Sequence, residues 1–214
     1  MGKIKAMILA AGFSSRMKTN KMLLPLGEMT IIENTLQGFL QSEVDGVAVV
    51  LGHDKEKIAR VLTPYPVQFI ENPRFSQGMS TSVQAGIEQL QGDQDLDGVM
   101  ITPGDMPFIQ AKTVDGIIKI FREFAYPIII PVYQGRRGHP VFFAKELMPQ
   151  LLAVSGDMGA RGVIRSNPEK CFFLEVDDPG ILIDMDAPEE YDKWRDSGLN
   201  PKDIKEIKDI FDIR

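Results

Sequence analysis

Short apolar runs of strand length alternate with segments of helical period along most of this chain. The predicted strands are Ile4–Leu9, Gly46–Leu51, Val67–Ile70, Val99–Thr102 and Ile128–Val132. This alternation is typical of a parallel sheet with helices on both of its faces. Gly46–Leu51 is uniformly apolar, as a strand buried on both faces should be. We therefore predict an α/β fold with three layers, αβα, around a mostly parallel twisted sheet.

The segments between these strands carry helix signals. Thr30 and Glu33 have the spacing of a capping box, which predicts a helix that begins at this point. Asp54 is predicted to cap the next helix, and a third helix is predicted at Ser80–Leu90. A fourth helix is predicted to face the core with Ile117, Ile118, Phe121 and Phe124.

The pattern changes after the fifth predicted strand, where Gln134–Phe143 predicts a hairpin or a return strand. Residues 1–198 are predicted to form a single domain, and residues 199–214 an amphipathic C-terminal helix appended to it. The elements predicted between them are a short helix that ends near Leu152, a helix that opens at Gly156–Arg161, strands at Phe172–Val176 and Ile181–Asp184, and a helix from Pro188.

Composition and charge argue against several classes of function. The chain has 214 residues, a net charge of −6 and a sequence pI near 5.0, which argue against a broad nucleic-acid-binding surface. Cys171 is the single cysteine, which excludes an intrachain disulfide and a metal cage made of cysteines. No apolar stretch approaches the roughly 20 residues of a membrane span. We predict a cytoplasmic protein that binds neither nucleic acid nor membrane and is a monomer or a weak homodimer.

The apolar run Ile4–Ala11 stops at Gly12, and a polar, cationic loop follows it. The first 27 residues contain five Lys or Arg, including Arg16, Lys18 and Lys21, and no Asp or Glu. Backbone N–H groups and fixed positive charge at the end of a buried strand are what a triphosphate needs. The loop lacks the Walker A and Gly-x-Gly-x-x-Gly patterns, which argues against a P-loop kinase and a nicotinamide dehydrogenase. We interpret it as a nucleotide-binding loop, with a solvated βα loop as the alternative.

Four positions with functional potential fall just beyond predicted strand ends: Gly12, Gly52, Asn72 and Asp105. In open α/β sheets, ligands bind beyond the carboxyl ends of the strands, so we predict that these positions surround one crevice. For Asn72, which precedes a proline, turn chemistry is an equally good explanation.

Two aspartates beyond strand ends are candidates for a metal site. Asp105 follows a predicted strand, where it can hold a metal or cap the next turn. Phosphoryl-group transfer needs a hard cation, and Mg²⁺ is held by one or two carboxylates together with phosphate oxygens. Asp184 and Asp186 are two residues apart on a segment predicted to be extended, so they face the same way. This segment is predicted to supply the second carboxylate.

Several motifs resemble those of known families. Leu9–Met17 together with Lys21–Pro25 resembles the signature of nucleotidyltransferases with a nucleotide-sugar-transferase-like α/β fold, in which this loop wraps the triphosphate of an NTP. The chain is more narrowly similar to the molybdenum cofactor cytidylyltransferases, in motifs that follow the same order between residue 4 and about residue 192. These motifs are Asn72–Val83, Pro103–Pro107, Gly138–Phe142 and Gly156–Arg161.

The resemblance implies a Rossmann-like nucleotide-diphospho-sugar transferase fold. It also implies a Mg²⁺-dependent transfer of CMP from CTP to the terminal phosphate of molybdopterin, with release of pyrophosphate. It implies catalytic roles for Arg16, Lys21 and Asp105, and it makes Asp105 and Asp186 the metal ligands. The implied nucleotide-binding residues are Leu9, Ala10, Ala11, Gly12, Ser14, Arg16, Lys21, Asn72, Met79 and Ser80. The implied acceptor-binding residues are His139, Arg137 and Arg161.

Departures from the family pattern leave alternatives open. Ala11 stands where the guanylyl relatives resemble Leu-Ala-Gly-Gly, and its methyl group favours a pyrimidine base. Lys18 replaces a usual glycine, and Ala187 replaces a usual threonine. The alternatives are a guanylyltransferase of the same cofactor, a nucleotidyltransferase of a sugar or alditol phosphate, and a non-enzymatic molybdenum cofactor chaperone. In the leading hypothesis, a molybdenum hydroxylase receives the product.

Overall fold

The computed structural model describes residues 2–13, 20–186 and 188–197. These residues form an eight-stranded mixed sheet, a two-stranded ribbon and seven α-helices. The strands are β1 Lys3–Ala10, β2 Pro25–Leu26, β3 Met29–Thr30, β4 Gly46–Leu51, β5 Val67–Glu71, β6 Leu96–Pro103, β7 Ile128–Tyr133, β8 Arg136–Arg137, β9 Val141–Ala144 and β10 Cys171–Glu175. The helices are α1 Ile31–Leu40, α2 Lys55–Leu62, α3 Met79–Leu90, α4 Ala111–Phe124, α5 Met148–Leu152, α6 Arg161–Ser166 and α7 Pro188–Ser197.

The strand order of the large sheet is β10-β7-β9-β6-β1-β4-β5, and β8 pairs with β7. β1 is parallel to both of its neighbours, β4 and β6, and the two outer strands β5 and β10 are also parallel to theirs. β9 lies antiparallel between β6 and β7, so the chain after β7 returns into the sheet as a strand. The predicted three-layer α/β fold with a mostly parallel sheet is confirmed.

The two faces of the sheet bury separate hydrophobic clusters, and β1 contributes to both. Ile4 and Ile8 pack in the cluster that contains α1, α2 and α4. Met7 and Leu9 pack in the cluster that contains α3, α5 and α6, because successive side chains of a strand point to opposite faces. Each large aliphatic side chain buried in this way stabilises the fold by about 1.5–3 kcal/mol. The central position of β1 brings its carboxyl end between those of β4 and β6.

The capping box predicted for the first helix is confirmed. The Thr30 N–H donates to Glu33 Oε2 at 2.8 Å, and the Glu33 N–H donates back to Thr30 Oγ1 at 3.4 Å. The predicted side-chain cap by Asp54 is wrong, although Asp54 does precede α2. Its backbone is left-handed, with φ of 54°, and its carboxylate instead pairs with Lys57 at 2.8 Å.

The predicted inward position of Phe124 is also wrong. Ile117 and Ile118 of α4 are buried, whereas Phe124 is 55% exposed. Phe124 is the last residue of the helix, which ends where Ala125 adopts a left-handed conformation with φ of 55°. Its ring therefore lies at the helix end, 6.3 Å from the ring of Tyr126, and not in the core.

The strand predicted at Ile181–Asp184 is replaced by a 3-10 turn at Pro179–Leu182. Asp178, which is fully buried, fixes this turn. Its carboxylate accepts hydrogen bonds from the Gly180 N–H at 3.0 Å and from Thr113 Oγ1 at 2.7 Å. The chain is thereby held against the start of α4 and does not extend the sheet.

The end of the chain is described only in part. The helix predicted from Pro188 is present as α7. The helix predicted at 199–214 lies outside the described residues, and the division into a domain at 1–198 and an appended helix stays a prediction. In the part of the chain that the structure describes, every helix is too short or too polar to cross a membrane.

Candidate active site

A cavity of about 650 Å³ opens at the carboxyl ends of β1 and β6. In open α/β sheets this is the edge at which ligands bind. Its walls include three aspartates, one lysine and two phenylalanines. The lining residues are Leu9, Ala11, Gly12, Phe13, Lys21, Met22, Phe75, Ser76, Gly78, Met79, Ser82, Pro103, Asp105, Asp157 and Asp186.

The end of β1 forms one wall of this cavity. Leu9 and Ala11 line it, whereas Ala10 is fully buried in the core. The Leu9 carbonyl accepts a hydrogen bond from the Gly104 N–H at 2.9 Å, and the Ala11 carbonyl accepts one from the His53 N–H at 3.2 Å. These bonds fix the loops after β6 and β4 to the end of β1, so three loops meet at one place.

Gly52, just beyond β4, allows Phe75 of the cavity wall to pack close to the backbone. A Cβ atom at this position would lie 2.6 Å from Phe75 Cβ and 2.8 Å from Ala11 Cβ. Any side chain here would therefore displace Phe75 from the cavity. A Cβ at Gly12 would meet no atom within 4 Å, so the backbone at Gly12 borders open space.

Lys21 is a buried cation in the cavity wall. Asn20 begins its 3-10 turn and accepts a hydrogen bond from the Met22 N–H at 3.2 Å through its side-chain oxygen. Lys21 Nζ donates to both Asp105 Oδ2 and Asp186 Oδ1. Burial lowers the pKa of Lys21, but the two carboxylates outweigh burial, so the net pKa is raised above its ordinary 10.5. Lys21 therefore stays charged at physiological pH.

Asp105 directly follows Gly104 at the end of β6 and is only 6% exposed. Its Oδ2 atom accepts the hydrogen bond from Lys21. Its Oδ1 atom is buried and has no hydrogen-bond partner among the described residues. An unsatisfied buried acceptor costs about 1–3 kcal/mol, and native proteins leave few of them. This oxygen is therefore placed to receive a ligand.

Asp186 comes to the same lysine from a distant part of the chain. The N–H of the fully buried Met185 donates to the Asp105 carbonyl at 2.9 Å, which fixes this segment beside the end of β6. The segment is also held next to the loop that precedes β9, because the His139 N–H donates to the Ile181 carbonyl at 3.0 Å. Two backbone contacts thus bring the second predicted metal ligand next to the first.

The two carboxylates fit a magnesium ion of the kind that binds together with a nucleotide. Asp105 and Asp186 share one ammonium group, and Asp105 Oδ1 is left for a further partner. In the described ranges, no three His, Cys, Asp or Glu side chains surround a common metal position. A magnesium ion here would therefore need phosphate oxygens and water as its other ligands, which is its usual behaviour with nucleotides.

The family model for the MobA-like NTP transferase domain matches residues 6–171 of this sequence. The chain belongs to the MobA-like NTP transferase family. The matched residues include the whole cavity wall except Asp186. The site described above is therefore built almost entirely from the family domain.

Individual relatives and solved structures agree with this assignment. The chain is 28% identical to the molybdenum cofactor cytidylyltransferase of Escherichia coli (strain K12) over 192 residues, which are 89% of this chain and 95% of the relative. It is 29% identical to the purine catabolism protein PucB of Bacillus subtilis (strain 168), with coverages of 87% and 93%. The crystal structure of Rv0371c from Mycobacterium tuberculosis H37Rv superposes with a TM-score of 0.78 at 26% identity, covering 90% of this chain and 97% of that one.

The structure brings several of the predicted nucleotide-binding residues of this MobA-like domain to the cavity. Leu9, Ala11, Gly12, Lys21 and Met79 all line it, and Met79 is 49% exposed. Their contact with a nucleotide stays a prediction. The grouping of these residues with the two predicted metal ligands around a single cavity is a finding.

Asn72 and Ser80 are buried and do not line this cavity. Asn72 is fully buried and donates hydrogen bonds to Thr81 Oγ1 at 2.9 Å and Ser82 Oγ at 3.0 Å. It also accepts one from the Arg74 N–H at 2.9 Å, which is the turn role that its sequence context allowed. Ser80 is 1% exposed. In this structure, Asn72 holds the first turn of α3 in place, and a contact of either residue with a nucleotide stays a prediction.

The predicted acceptor residues do not line the cavity. His139 Nδ1 lies 3.4 Å from the Ile101 carbonyl, and burial together with nearby Arg161 outweighs opposite effects and lowers the His139 pKa. Arg137 points to the edge strand β10, with its guanidinium 4.5 Å from the centre of the Phe173 ring. Arg161 thus acts on His139 through its charge, whereas the Arg137 guanidinium lies over the Phe173 ring.

The predicted residues Ser14 and Arg16, and the unusual Lys18, lie outside the described residues. Conversely, the cavity includes side chains that the sequence prediction missed, notably Phe13, Phe75, Ser82 and Asp157. All four lie within or beside the motifs used for the family resemblance. The signal was therefore present, but a motif does not tell which of its side chains point to the ligand.

Proposed function

We propose that this protein is a cytidylyltransferase that joins CMP from CTP to the terminal phosphate of molybdopterin and releases pyrophosphate. The observation that carries the proposal is the cluster of Lys21 and Asp105, from the MobA-like NTP transferase domain, with Asp186 beside them. It combines a fixed cation for phosphates with two carboxylates suited to a divalent metal.

Asp105 and Asp186 would hold a magnesium ion. The fit rests on the buried Asp105 Oδ1 atom, which lacks a partner among the described residues, and on the hard oxygen donors of the pair. When bound, such an ion neutralises negative charge on the phosphates of the nucleotide.

Lys21 has the complementary task of holding the leaving group. Its ammonium group contacts both Asp105 and Asp186. When a nucleotide binds, the ammonium would therefore contact the β- and γ-phosphates next to the metal-binding carboxylates. Arg16, which lies outside the described residues, is proposed to share this role. Fixed cations that face the charge of the departing pyrophosphate stabilise the transition state without reorganisation.

The reaction itself needs no protein base. A terminal phosphate oxygen of the acceptor attacks the α-phosphorus of CTP and forms a new P–O bond. The bond between the α-phosphorus and the bridging oxygen breaks, and pyrophosphate leaves with that electron pair. A phosphate monoester has its second pKa near about 6, so most of it is already a dianion at neutral pH. Positioning and charge neutralisation then supply the rate.

Two observations support cytosine as the base and molybdopterin as the acceptor. Ala11 lines the cavity and is 3% exposed, so its methyl group takes up room next to the nucleotide. The relative in Escherichia coli is named a molybdenum cofactor cytidylyltransferase and aligns over 89% of this chain. His139 and Arg161, which do not line this cavity, are the proposed contact for the anionic pterin.

A pyrophosphate-release assay tests the proposal. Purified protein is incubated with Mg²⁺ and CTP, GTP, ATP or UTP, each with molybdopterin, with a sugar phosphate, or with no acceptor. We expect release with CTP and molybdopterin only. Release with GTP alone would contradict the cytidylyl assignment, and stimulation by the sugar phosphate alone would contradict the acceptor.

The same preparation separates catalysis from cofactor delivery. A non-enzymatic chaperone would insert the cofactor into a molybdenum hydroxylase equally well with Asp105→Asn and Asp186→Asn. The enzyme proposed here loses pyrophosphate release, and therefore product for delivery, with either change.

A further inference from the structure

Asp157 is an acidic side chain in the wall of a cavity proposed to receive a highly anionic nucleotide. It lies in the 3-10 turn Gly156–Met158, which packs against the start of α3. Gly78 makes this packing possible. A Cβ on Gly78 would lie 2.5 Å from Asp157 Oδ1 and 2.9 Å from the Gly156 carbonyl, and Gly78 has φ of 104°, where other residues are strained. The carboxylate is thus held close to the first turn of α3.

Among the described residues, neither a shared metal position nor an ion pair explains Asp157. Among residues 2–13, 20–186 and 188–197, no three carboxylate, imidazole or thiol groups surround one metal position, so Asp157 does not join Asp105 and Asp186 at a common ion. The carboxylates that raise the pKa of Lys21 are Asp105 and Asp186. Within the same described ranges, the side chain of Asp157 makes neither a hydrogen bond nor a salt bridge, and it is exposed to the cavity.

The charge of Asp157 restricts what it can contact. A carboxylate repels phosphate groups, and it accepts hydrogen bonds but donates none when ionised. In a nucleotide, its charge therefore favours contact with donors of the uncharged part and not with the phosphates. The cavity has two groups of charged side chains. Lys21 contacts both Asp105 and Asp186, whereas Asp157 lies next to Gly78 at the start of α3.

We propose that Asp157 accepts hydrogen bonds from the vicinal 2′- and 3′-hydroxyl groups of the ribose, and so selects ribonucleotides over deoxyribonucleotides. The two oxygens of one carboxylate match the two O–H donors of a cis-diol. The inference rests on the proposed function, since it concerns the nucleotide of that reaction. It adds a specificity residue that has no part in the phosphate or metal contacts.

The test measures nucleotide binding without an acceptor, so that no turnover occurs. Isothermal titration compares CTP, 2′-deoxy-CTP and 3′-deoxy-CTP, each with Mg²⁺, on wild-type protein and on Asp157→Ala. Hydrogen bonds to a charged group contribute enough for wild type to bind CTP about 10-fold to 100-fold more tightly than either deoxynucleotide. Asp157→Ala is expected to reduce this ratio to about 1–3, mainly by weakening the binding of CTP.

Asp177→Ala is the matched control, because it makes the same substitution at an exposed position outside the cavity lining. It should leave the CTP to deoxy-CTP ratio unchanged. The comparison of CTP with UTP supplies a further arm. If Asp157→Ala changes the CTP to UTP ratio but leaves the ribose to deoxyribose ratio, the carboxylate contacts the base amine and the proposal is wrong.

The wild-type measurement keeps the test independent of how the variant folds. If wild-type protein binds CTP and deoxy-CTP equally, the assignment of Asp157 is overturned, while the proposed cytidylyl transfer stands. If wild-type protein binds no nucleoside triphosphate at all, the proposed function fails, and this inference falls with it.

Discussion

Asp105 and Asp178 are both buried carboxylates, yet their surroundings differ. Asp178 receives hydrogen bonds from the Gln110 N–H at 3.0 Å, Gln110 Nε2 at 3.0 Å, Thr113 Oγ1 at 2.7 Å and the Gly180 N–H at 3.0 Å. Asp105 has one oxygen on Lys21 and another with no hydrogen-bond partner in the described part of the chain.

The difference separates a structural role from a ligand-binding one. Burial raises the pKa of Asp178, although the hydrogen bonds from its four donors act in the opposite direction. Each carboxylate oxygen of Asp178 accepts two hydrogen bonds from neighbouring residues. Asp178 joins the Pro179–Leu182 turn to α4 and supports the segment that leads to Asp186. Asp105 lines the cavity, and its Oδ1 atom has no hydrogen-bond partner among the described residues. A buried carboxylate indicates function when its hydrogen bonds are incomplete.

The largest expected effect is on catalysis by Asp105→Asn. The substitution keeps the shape of the side chain but removes a negative charge that would hold the metal. We expect the rate of pyrophosphate release to fall by about 10²–10³-fold, comparable to the loss of one key electrostatic group in other active sites. Steady-state kinetics with CTP measures it. Asp177→Asn is the control, and an equal loss in that variant would show that the effect is not specific to Asp105.

Asp178→Asn should give the opposite pattern, with a loss of stability. The new amide group would present N–H donors to groups that are themselves donors, and unsatisfied buried groups cost about 1–3 kcal/mol each. We expect the free energy of unfolding to fall by about 2–3 kcal/mol, measured by urea denaturation. If Asp105→Asn destabilised the protein more than Asp178→Asn, the contrast between the two sites would be lost.

Lys21→Met tests the charge balance of the site through pH. The pKa of Lys21 is raised in the folded protein above its ordinary 10.5, so its stabilising contribution is complete below pH 10.5. The contribution is lost as the pH rises through the folded-state pKa. The stability difference between wild type and Lys21→Met should therefore be constant from about pH 7 to 10 and shrink above that range.

The same variant has a metal-dependent effect. Removing the shared ammonium leaves Asp105 and Asp186 without one counter-charge, so Mn²⁺ alone should bind Lys21→Met about tenfold more tightly than wild type. Lys119→Met, at an exposed position on α4, is the control. Unchanged Mn²⁺ affinity in Lys21→Met would show that the ammonium does not compete with a metal.

The smallest expected effect is that of Thr30→Ala, which removes the capping box of α1 at a position that does not line the cavity. Loss of such a cap costs about 1 kcal/mol. We expect this decrease in the free energy of unfolding with an unchanged kcat. A large drop in kcat would mean that α1 contributes to the site in a way that the contacts of Thr30 and Glu33 do not explain.

Local signals allowed much of the fold to be predicted from the sequence. The alternation of apolar strands and helical segments reveals the parallel sheet, and Thr30 with Glu33 marks the start of α1 within three residues. The failures came from long-range contacts. The turn at Pro179–Leu182 depends on Asp178 and on partners up to 68 positions away along the chain, so its apolar residues alone suggested a strand.

The candidate site shows the same limit. The strand-end rule placed Asp105 at the cavity, because parallel strands end at one edge of the sheet. The family resemblance added Lys21 and Asp186, and Asp186 comes to the site through the Met185 contact with the Asp105 carbonyl and not through a strand end. They did not reveal Asp157, whose approach depends on the packing of its turn against Gly78. Nor did they show that Asn72 would turn inward to hold α3.

The most direct test of the central claim is a Mn²⁺ titration followed by electron paramagnetic resonance, in the presence of saturating CTP. We expect one CTP-dependent Mn²⁺ ion on the wild-type protein and on Asp178→Asn, under conditions where that variant is folded. We expect loss of this ion with Asp105→Asn. Undiminished, CTP-dependent Mn²⁺ binding by Asp105→Asn would contradict the assignment of Asp105 as the buried carboxylate that faces the ligand.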